Sequence, residues 1–170
     1  TATNGVGTSA ASSASNSVTP LTVPGAPTSV TAVAGNGEAT ISFTPPVSNG
    51  GATITSYTVT SNVGGHTATG GSSPITVTGL TNGTTYTFTV TATNAVGTSV
   101  ASSTSNSVVP SGAPGAPTSV TAVAGNGQAT ISFTPPVSNG GSAIISYTVT
   151  SNVGGHTATG GSSPITVTGL

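Results

Sequence analysis

The chain has 170 residues, of which 33% are hydrophobic, 4% aromatic and 1% charged; it holds no Lys, no Arg and no Cys, one acidic residue (Glu38) and two His. Thr and Ser supply 36 and 26 residues, more than a third of the chain. Without cations it lacks the means to neutralise phosphates, so neither nucleic acid binding nor electrostatic anchoring on anionic lipid is expected, and without Cys it has no disulfides, thiolate metal sites or thiol redox chemistry.

The same poverty of charge removes Schiff-base lysines, arginine clamps and paired carboxylates, so most acid/base, phosphoryl-transfer and glycosidase mechanisms have no groups to work with. No enzyme activity and no cofactor are expected. A net charge of −1 favours association over solubility. No run approaches the roughly 20 apolar residues of a membrane-spanning helix, so no membrane insertion is expected. Thr1-Ala2-Thr3-Asn4 lacks the charged and apolar regions of a secretion signal.

In chain order, short alternating runs rich in Val, Ile, Thr, Tyr and Phe predict strands over Thr28–Val33, Glu38–Thr44, Ile54–Ser61, His66–Thr69, Ile75–Thr78, Thr84–Asn94 and Val100–Val108. That is a seven-stranded all-β sandwich, with no helical periodicity anywhere. Asn36-Gly37 predicts a type I′ hairpin turn between the first two strands, and Pro45-Pro46 should end the second, because proline cannot donate to a ladder. Ser48-Asn49-Gly50-Gly51 and Gly64-Gly65 mark further turns. Alternation in Ile41-Ser42-Phe43-Thr44 and Tyr86-Thr87-Phe88-Thr89-Val90 places apolar residues inward and Thr outward, where its β-branch supports a strand without exposing as much hydrocarbon as Val.

The sequence repeats itself at an offset of 90. Residues 24–80 and 114–170 differ only at Glu38/Gln128, Ala52/Ser142, Thr53/Ala143 and Thr55/Ile145, and Thr1–Pro20 returns as Thr91–Pro110. A period that long suits an independent domain, not a solenoid turn. The expected organisation is residues 1–23 as the final strands of one repeat plus linker, 24–113 as a complete repeat plus linker, and 114–170 as the first strands of another. Two full periods would need 180 residues, so the chain is expected to be a window on a longer array. Residues 114–170 would then be completed by the continuing polypeptide or by strand donation from the next subunit, the partner in either case being another copy of the repeat.

Leu80-Thr81-Asn82-Gly83-Thr84-Thr85-Tyr86-Thr87-Phe88-Thr89-Val90-Thr91-Ala92-Thr93-Asn94-Ala95-Val96-Gly97 resembles the corresponding stretch of a fibronectin type III domain. In that family a Leu and a Gly precede the Tyr of a tyrosine corner, and an alternating strand follows before an Asn and a Gly. Ile41-Ser42-Phe43-Thr44-Pro45-Pro46 resembles the family's second strand, with Phe43 where Trp is usual, and Ile54-Thr55-Ser56-Tyr57-Thr58-Val59 resembles the third. The resemblance implies tandem immunoglobulin-like sandwiches of a microbial extracellular protein, acting as stalk, fibre or filament. The alternative is a passive spacer in a secreted hydrolase or surface adhesin whose active or recognition domain lies outside this chain. A third reading, direct carbohydrate binding by the repeats, needs a surface aromatic platform that three Tyr and three Phe, nearly all assigned to cores, do not supply. Leu80, Gly83, Tyr86, Phe88, Val90, Phe43 and Tyr57 are the residues expected to build the corner and core.

His66 and His156 occupy one position in two copies, and a single His with no acidic neighbour makes a poor metal site, since structural sites take about four ligands. No metal is expected there. Glu38 gives way to Gln128, which predicts a dispensable surface carboxylate. Val63-Gly64-Gly65-His66-Thr67-Ala68-Thr69-Gly70-Gly71 is glycine-rich, yet no helix or Lys follows, so it predicts turns and not a phosphate cradle. Asn82-Gly83-Thr84 is a glycosylation sequon inside the corner, where its residues are needed for the turn. Ser9–Ser17 and Ser99–Ser107 offer hydroxyls for O-glycosylation, but a last edge strand with small side chains is the stronger expectation. Tyr57, Tyr86 and Tyr147 are expected in cores, with their hydroxyls hydrogen-bonded, and not on a binding platform.

Overall fold

A computed structural model describes residues 1–170. The fold is all-β. The first unit contains β1 (Thr28–Ala34), β2 (Glu38–Thr44), β3 (Ser56–Ser61), β4 (Thr67–Gly70), β5 (Ile75–Thr78) and β6 (Phe88–Thr93). The second contains β7 (Thr118–Gly125), β8 (Gln128–Thr134), β9 (Tyr147–Thr150), β10 (Thr157–Gly160) and β11 (Ile165–Thr168).

In the first unit two antiparallel sheets face each other, one in the order β1-β2-β5 and the other β4-β3-β6. Their inner faces follow directly from the period of two. In β6, Phe88, Val90 and Ala92 are buried while Thr89, Thr91 and Thr93 stay half-exposed, and in β3 Tyr57 and Val59 alternate with Thr58 and Thr60 in the same way. Ile41, Val59, Val77 and Val90 are all 0% exposed. Each such side chain contributes about 1.5–3 kcal/mol by leaving water. Phe43 of one sheet meets Tyr57 of the other with ring centroids 4.8 Å apart and planes tilted by 50°, a favoured aromatic geometry that ties the two layers together. The outer faces carry threonines in register, with Thr40–Thr76 and Thr58–Thr69 hydroxyl pairs at 3.3 and 3.2 Å.

The sequence-based expectations need correction at the first hairpin, at the seventh strand, at residues 1–23, expected as strands, and at Tyr147, which is half-exposed and not in a core. At the first hairpin only Gly37 lies in the left-handed region (φ 68°), so the turn is not type I′, which demands positive φ at Asn36 as well. The seventh predicted strand, Val100–Val108, is not a ladder strand; the chain from Thr98 to Val108 makes only single bridges, Thr93 to Thr98 and Tyr86 to Val108. Its serines bond in place of a regular backbone ladder.

The second unit repeats the same plan with β7-β8-β11 and β9-β10. Residues 1–23 form no strand; Thr3 and Thr8 make one bridge, and Ser9 N–H donates to Ala2 O at 2.9 Å.

Candidate functional site: the corner, the serine strap and the joint

The corner between β5 and β6 is built around Tyr86, which is 2% exposed. Its hydroxyl reaches back five residues and accepts from the Thr81 N–H at 3.1 Å. The ring stacks beside Phe88 at 6.3 Å, and His66 meets it edge-on at 6.2 Å. Leu80 is buried, and its N–H donates to Gly37 O at 2.9 Å. Gly83 adopts φ 82°, a conformation open to glycine at little steric cost, and its N–H donates to Pro110 O at 2.9 Å. Asn82 faces inward to the hairpin: its Oδ1 accepts from Gly37 N–H at 2.8 Å and its Nδ2 donates to Asn36 Oδ1 at 2.8 Å. The amide of the sequon is thus occupied in holding the corner.

Along β6 lies a strap of serines spaced by three. Ser99, Ser102 and Ser105 donate their N–H groups to the carbonyls of Ala92, Val90 and Phe88 at 2.8, 2.9 and 2.9 Å. The same three residues of β6 return their N–H groups to the serine hydroxyls at 3.0, 2.9 and 3.0 Å. Each hydroxyl then donates to the carbonyl of the next residue, Val100, Ser103 and Asn106, at 2.8 Å. The strap therefore advances three residues for every two of β6. A small side chain stands in for the backbone acceptor that a regular strand would supply, and all three serines are buried. Asn106 continues the device across the open edge of the sandwich, because its amide accepts from Ala32 N–H at 2.9 Å and donates to Ala32 O at 3.0 Å. Ala32 belongs to β1 of the opposite sheet, so one side chain closes the two layers and satisfies an edge that would otherwise template further pairing.

The sequence offered a signal for this strap. Ser9, Ser12 and Ser15 carry the same spacing of three in the other copy, at odds with a strand's period of two.

Both linkers are fastened to the unit that follows them. Thr22 N–H donates to Gly50 O and Gly25 N–H to Ser48 O, both at 2.9 Å; the counterparts ninety residues later are Gly112 to Gly140 at 2.8 Å and Gly115 to Ser138 at 2.9 Å. Asn94 adds a clasp, donating to Thr22 O at 2.8 Å and Asn49 O at 2.9 Å. Between the units, Ser111 N–H donates back to Gly35 O at 3.0 Å. Neighbouring residues Ser111 and Gly112 are thus held by successive units.

None of these contacts is a catalytic arrangement. No group of three or more His, Cys, Asp or Glu side chains gathers anywhere in the chain. His66 packs against the corner, its ring walled by Gly64 and Gly79. Glu38 folds its side chain over Gly35. A groove of about 430 Å³ in the second unit is lined by Pro117, Val120, Ile131, Phe133 and Tyr147, counterparts of residues that pack inside the first unit. No helix is long and apolar enough to cross a membrane.

No curated protein sequence matches the chain. Among solved structures, a crystal structure of titin domains is 27% identical over 52% of this chain and 32% of its own, with a TM-score of 0.49. The twitchin kinase region from C. elegans is 26% identical over 52% of this chain and 17% of its own, with a TM-score of 0.48. The titin kinase with its flanking domains is 18% identical over 66% of this chain and 27% of its own, with a TM-score of 0.47. Each is much longer than the stretch it shares. Residues 25–108 match the family model of the fibronectin type III domain, and that span carries the family's β-sandwich fold.

Proposed function

We propose that this chain belongs to a head-to-tail array of fibronectin type III repeats that serves as a non-enzymatic extracellular stalk, fibre or filament, its partners being further copies of the same repeat in one polypeptide. The observation that carries this reading is the linker. Pro110 O and Ser111 N–H bond to the upstream unit, while Gly112 and Gly115 N–H bond to the downstream one. A linker pinned residue by residue passes orientation from one unit to the next, as a stiff rod requires, whereas a flexible spacer would leave its backbone to water. Near-identity of the copies supports a homopolymeric role over a mosaic of specialised modules. The lack of Lys and Arg leaves no trypsin site, and few long side chains means little entropy is lost when surfaces dock.

Small-angle scattering on chains of two, four and six repeats tests the reading. A strand of about ten residues spans roughly 33 Å, so each repeat with its linker should lengthen the rod by roughly 35–45 Å. A maximum dimension that grows by a constant step of that size supports the proposal; compact globules would end it. Denaturing electrophoresis of intact fibres checks the covalent array, which predicts a very large species, against assembly from short subunits.

A further inference from the structure

Six Asn-Gly steps punctuate the chain, at Asn4, Asn36, Asn49, Asn82, Asn126 and Asn139. An Asn followed by Gly carries its own reaction: the glycine nitrogen attacks the side-chain amide carbon, and a residue without Cβ offers it the least steric opposition. A new N–Cγ bond closes a cyclic imide, the Cγ–Nδ2 bond breaks, and ammonia leaves with the proton that the glycine N–H gives up. Water then opens the imide to a free carboxylate, as Asp or its backbone-shifted isomer. The step needs a glycine N–H free to lose its proton and an Asn side chain whose Cγ can reach that nitrogen.

At Asn82-Gly83 both conditions are withheld, and two repeats share in withholding them. Gly83 N–H donates to Pro110 O at 2.9 Å. Asn82 engages both amide atoms on the first hairpin, Oδ1 with Gly37 N–H and Nδ2 with Asn36 Oδ1, each at 2.8 Å, so it cannot fold back on Gly83 N without breaking these bonds. The next repeat covers the same peptide. A Cβ placed on Gly141 (φ 87°) would lie 2.5 Å from Gly83 N, 2.9 Å from Asn82 C and 3.0 Å from Asn82 Cβ, so the downstream loop rests directly against the reacting residues. From the linker, a Cβ on Gly112 would collide with the Asn36 side chain that holds Asn82 Nδ2.

The product does not fit the place the amide leaves. A carboxylate there has no N–H to give Asn36 Oδ1 and sets acceptor against acceptor. A chain without Lys or Arg has no side-chain cation to offset the new charge at a half-buried site.

We propose that Asn82-Gly83 is a self-modification site gated by the joint between repeats. A closed joint keeps the amide intact. Each opening exposes it to cyclisation, and the carboxylate that results keeps the joint from closing as before, so the site records cumulative opening as a change of charge. Water is the only co-reactant. The joint lies inside this chain and the reaction is read from mass, not shape, so failure here and failure of the array reading are separate results.

The full chain is incubated at mildly alkaline pH and cut with pepsin, since it has no Lys or Arg for trypsin, and each Asn-Gly step is followed by peptide mass spectrometry. In the folded parent Asn82 should convert at least about tenfold more slowly than in the same chain unfolded in urea, because only the open fraction reacts. Gly141→Ala sets a methyl against Gly83 N and should raise the rate several-fold. Gly112→Ala should do the same through Asn36, at a position whose backbone is not left-handed. Gly155→Ala places similar backbone strain (φ 63°) in open space within the second unit and should leave the rate at its parent value. Asn49-Gly50 belongs to the same unit as Asn82 but is bonded to Asn94 and Thr22, away from the joint. It should hold its parent rate in every variant, which separates opening of the joint from unfolding of the unit. An Asn82 that reacts as fast folded as unfolded, a rate that neither Gly141→Ala nor Gly112→Ala raises, or a rise shared by Gly155→Ala or by Asn49 would each overturn the proposal.

Discussion

Residues 24–80 and 114–170 are nearly the same sequence in two surroundings. In the first unit Ala32, Ile41, Phe43, Tyr57 and Val59 are buried; their counterparts Ile131, Phe133, Tyr147 and Val149 are half-exposed, and Ala122 is exposed outright. β3 runs for 6 residues between β4 and β6, whereas β9 runs for 4 and pairs only with β10. What the first unit has, and 114–170 does not, is β6 with its serine strap. Yet Ile165 and Val167 are as buried as Ile75 and Val77, at 6% and 2% against 7% and 0%. Packing from β8 and β10 is enough to cover β11, while the far side of the interior depends on β6. Local sequence thus specifies each hairpin, and the depth of the core is conferred by one strand and the segment that secures it.

The largest expected effect is at Ile41. Ile41→Ala in the covered core should cost about 2–5 kcal/mol, and Ile131→Ala on the half-exposed counterpart clearly less, by chemical denaturation of the chain with unit-resolved probes. Equal costs would mean that burial is not what separates the two units. Next is the strap. Ser102→Ala strands the buried Val90 N–H and should cost about 1–3 kcal/mol with faster amide exchange at Val90, whereas Ser12→Ala, the same residue in the copy whose hydroxyl serves no β6 amide, should change nothing. The corner is third: Tyr86→Phe removes the acceptor for Thr81 N–H and should lower stability by about 1–2 kcal/mol, while a melt with an unmoved midpoint would strip the hydroxyl of its role. Smallest is Glu38→Gln, which copies Gln128 and should stay within about 0.5 kcal/mol of the parent.

Some of these contacts are legible in the amino-acid order alone, and others are not. Alternation at Phe88, Val90, Tyr57 and Val59 announces inward faces, since successive side chains on an extended chain point to opposite sides. The spacing from Leu80 through Gly83 to Tyr86 announces a corner. Val100–Val108 misleads, because β-branched and small residues around a valine also suit an edge strand; what decides its conformation is side-chain hydroxyls bonding to β6, a partner seven to seventeen residues away. Asn36-Gly37 misleads similarly. Its dipeptide favours type I′ in isolation, but here Gly37 N–H is drawn to Asn82 Oδ1 and Asn82 Nδ2 to Asn36 Oδ1, tertiary bonds across 45 and 46 residues that a local turn rule does not contain.

Composition and a period of two are local properties of the chain, and they suffice for the class of fold, the repeat length, the inward faces and the absence of charged chemistry. Two features follow from tertiary packing alone: Asn106 closing the sandwich onto Ala32, and the serine strap replacing a seventh ladder strand. Those outcomes depend on which backbone groups are left without partners once the two sheets have packed, and that is settled by residues far apart in sequence meeting at one edge.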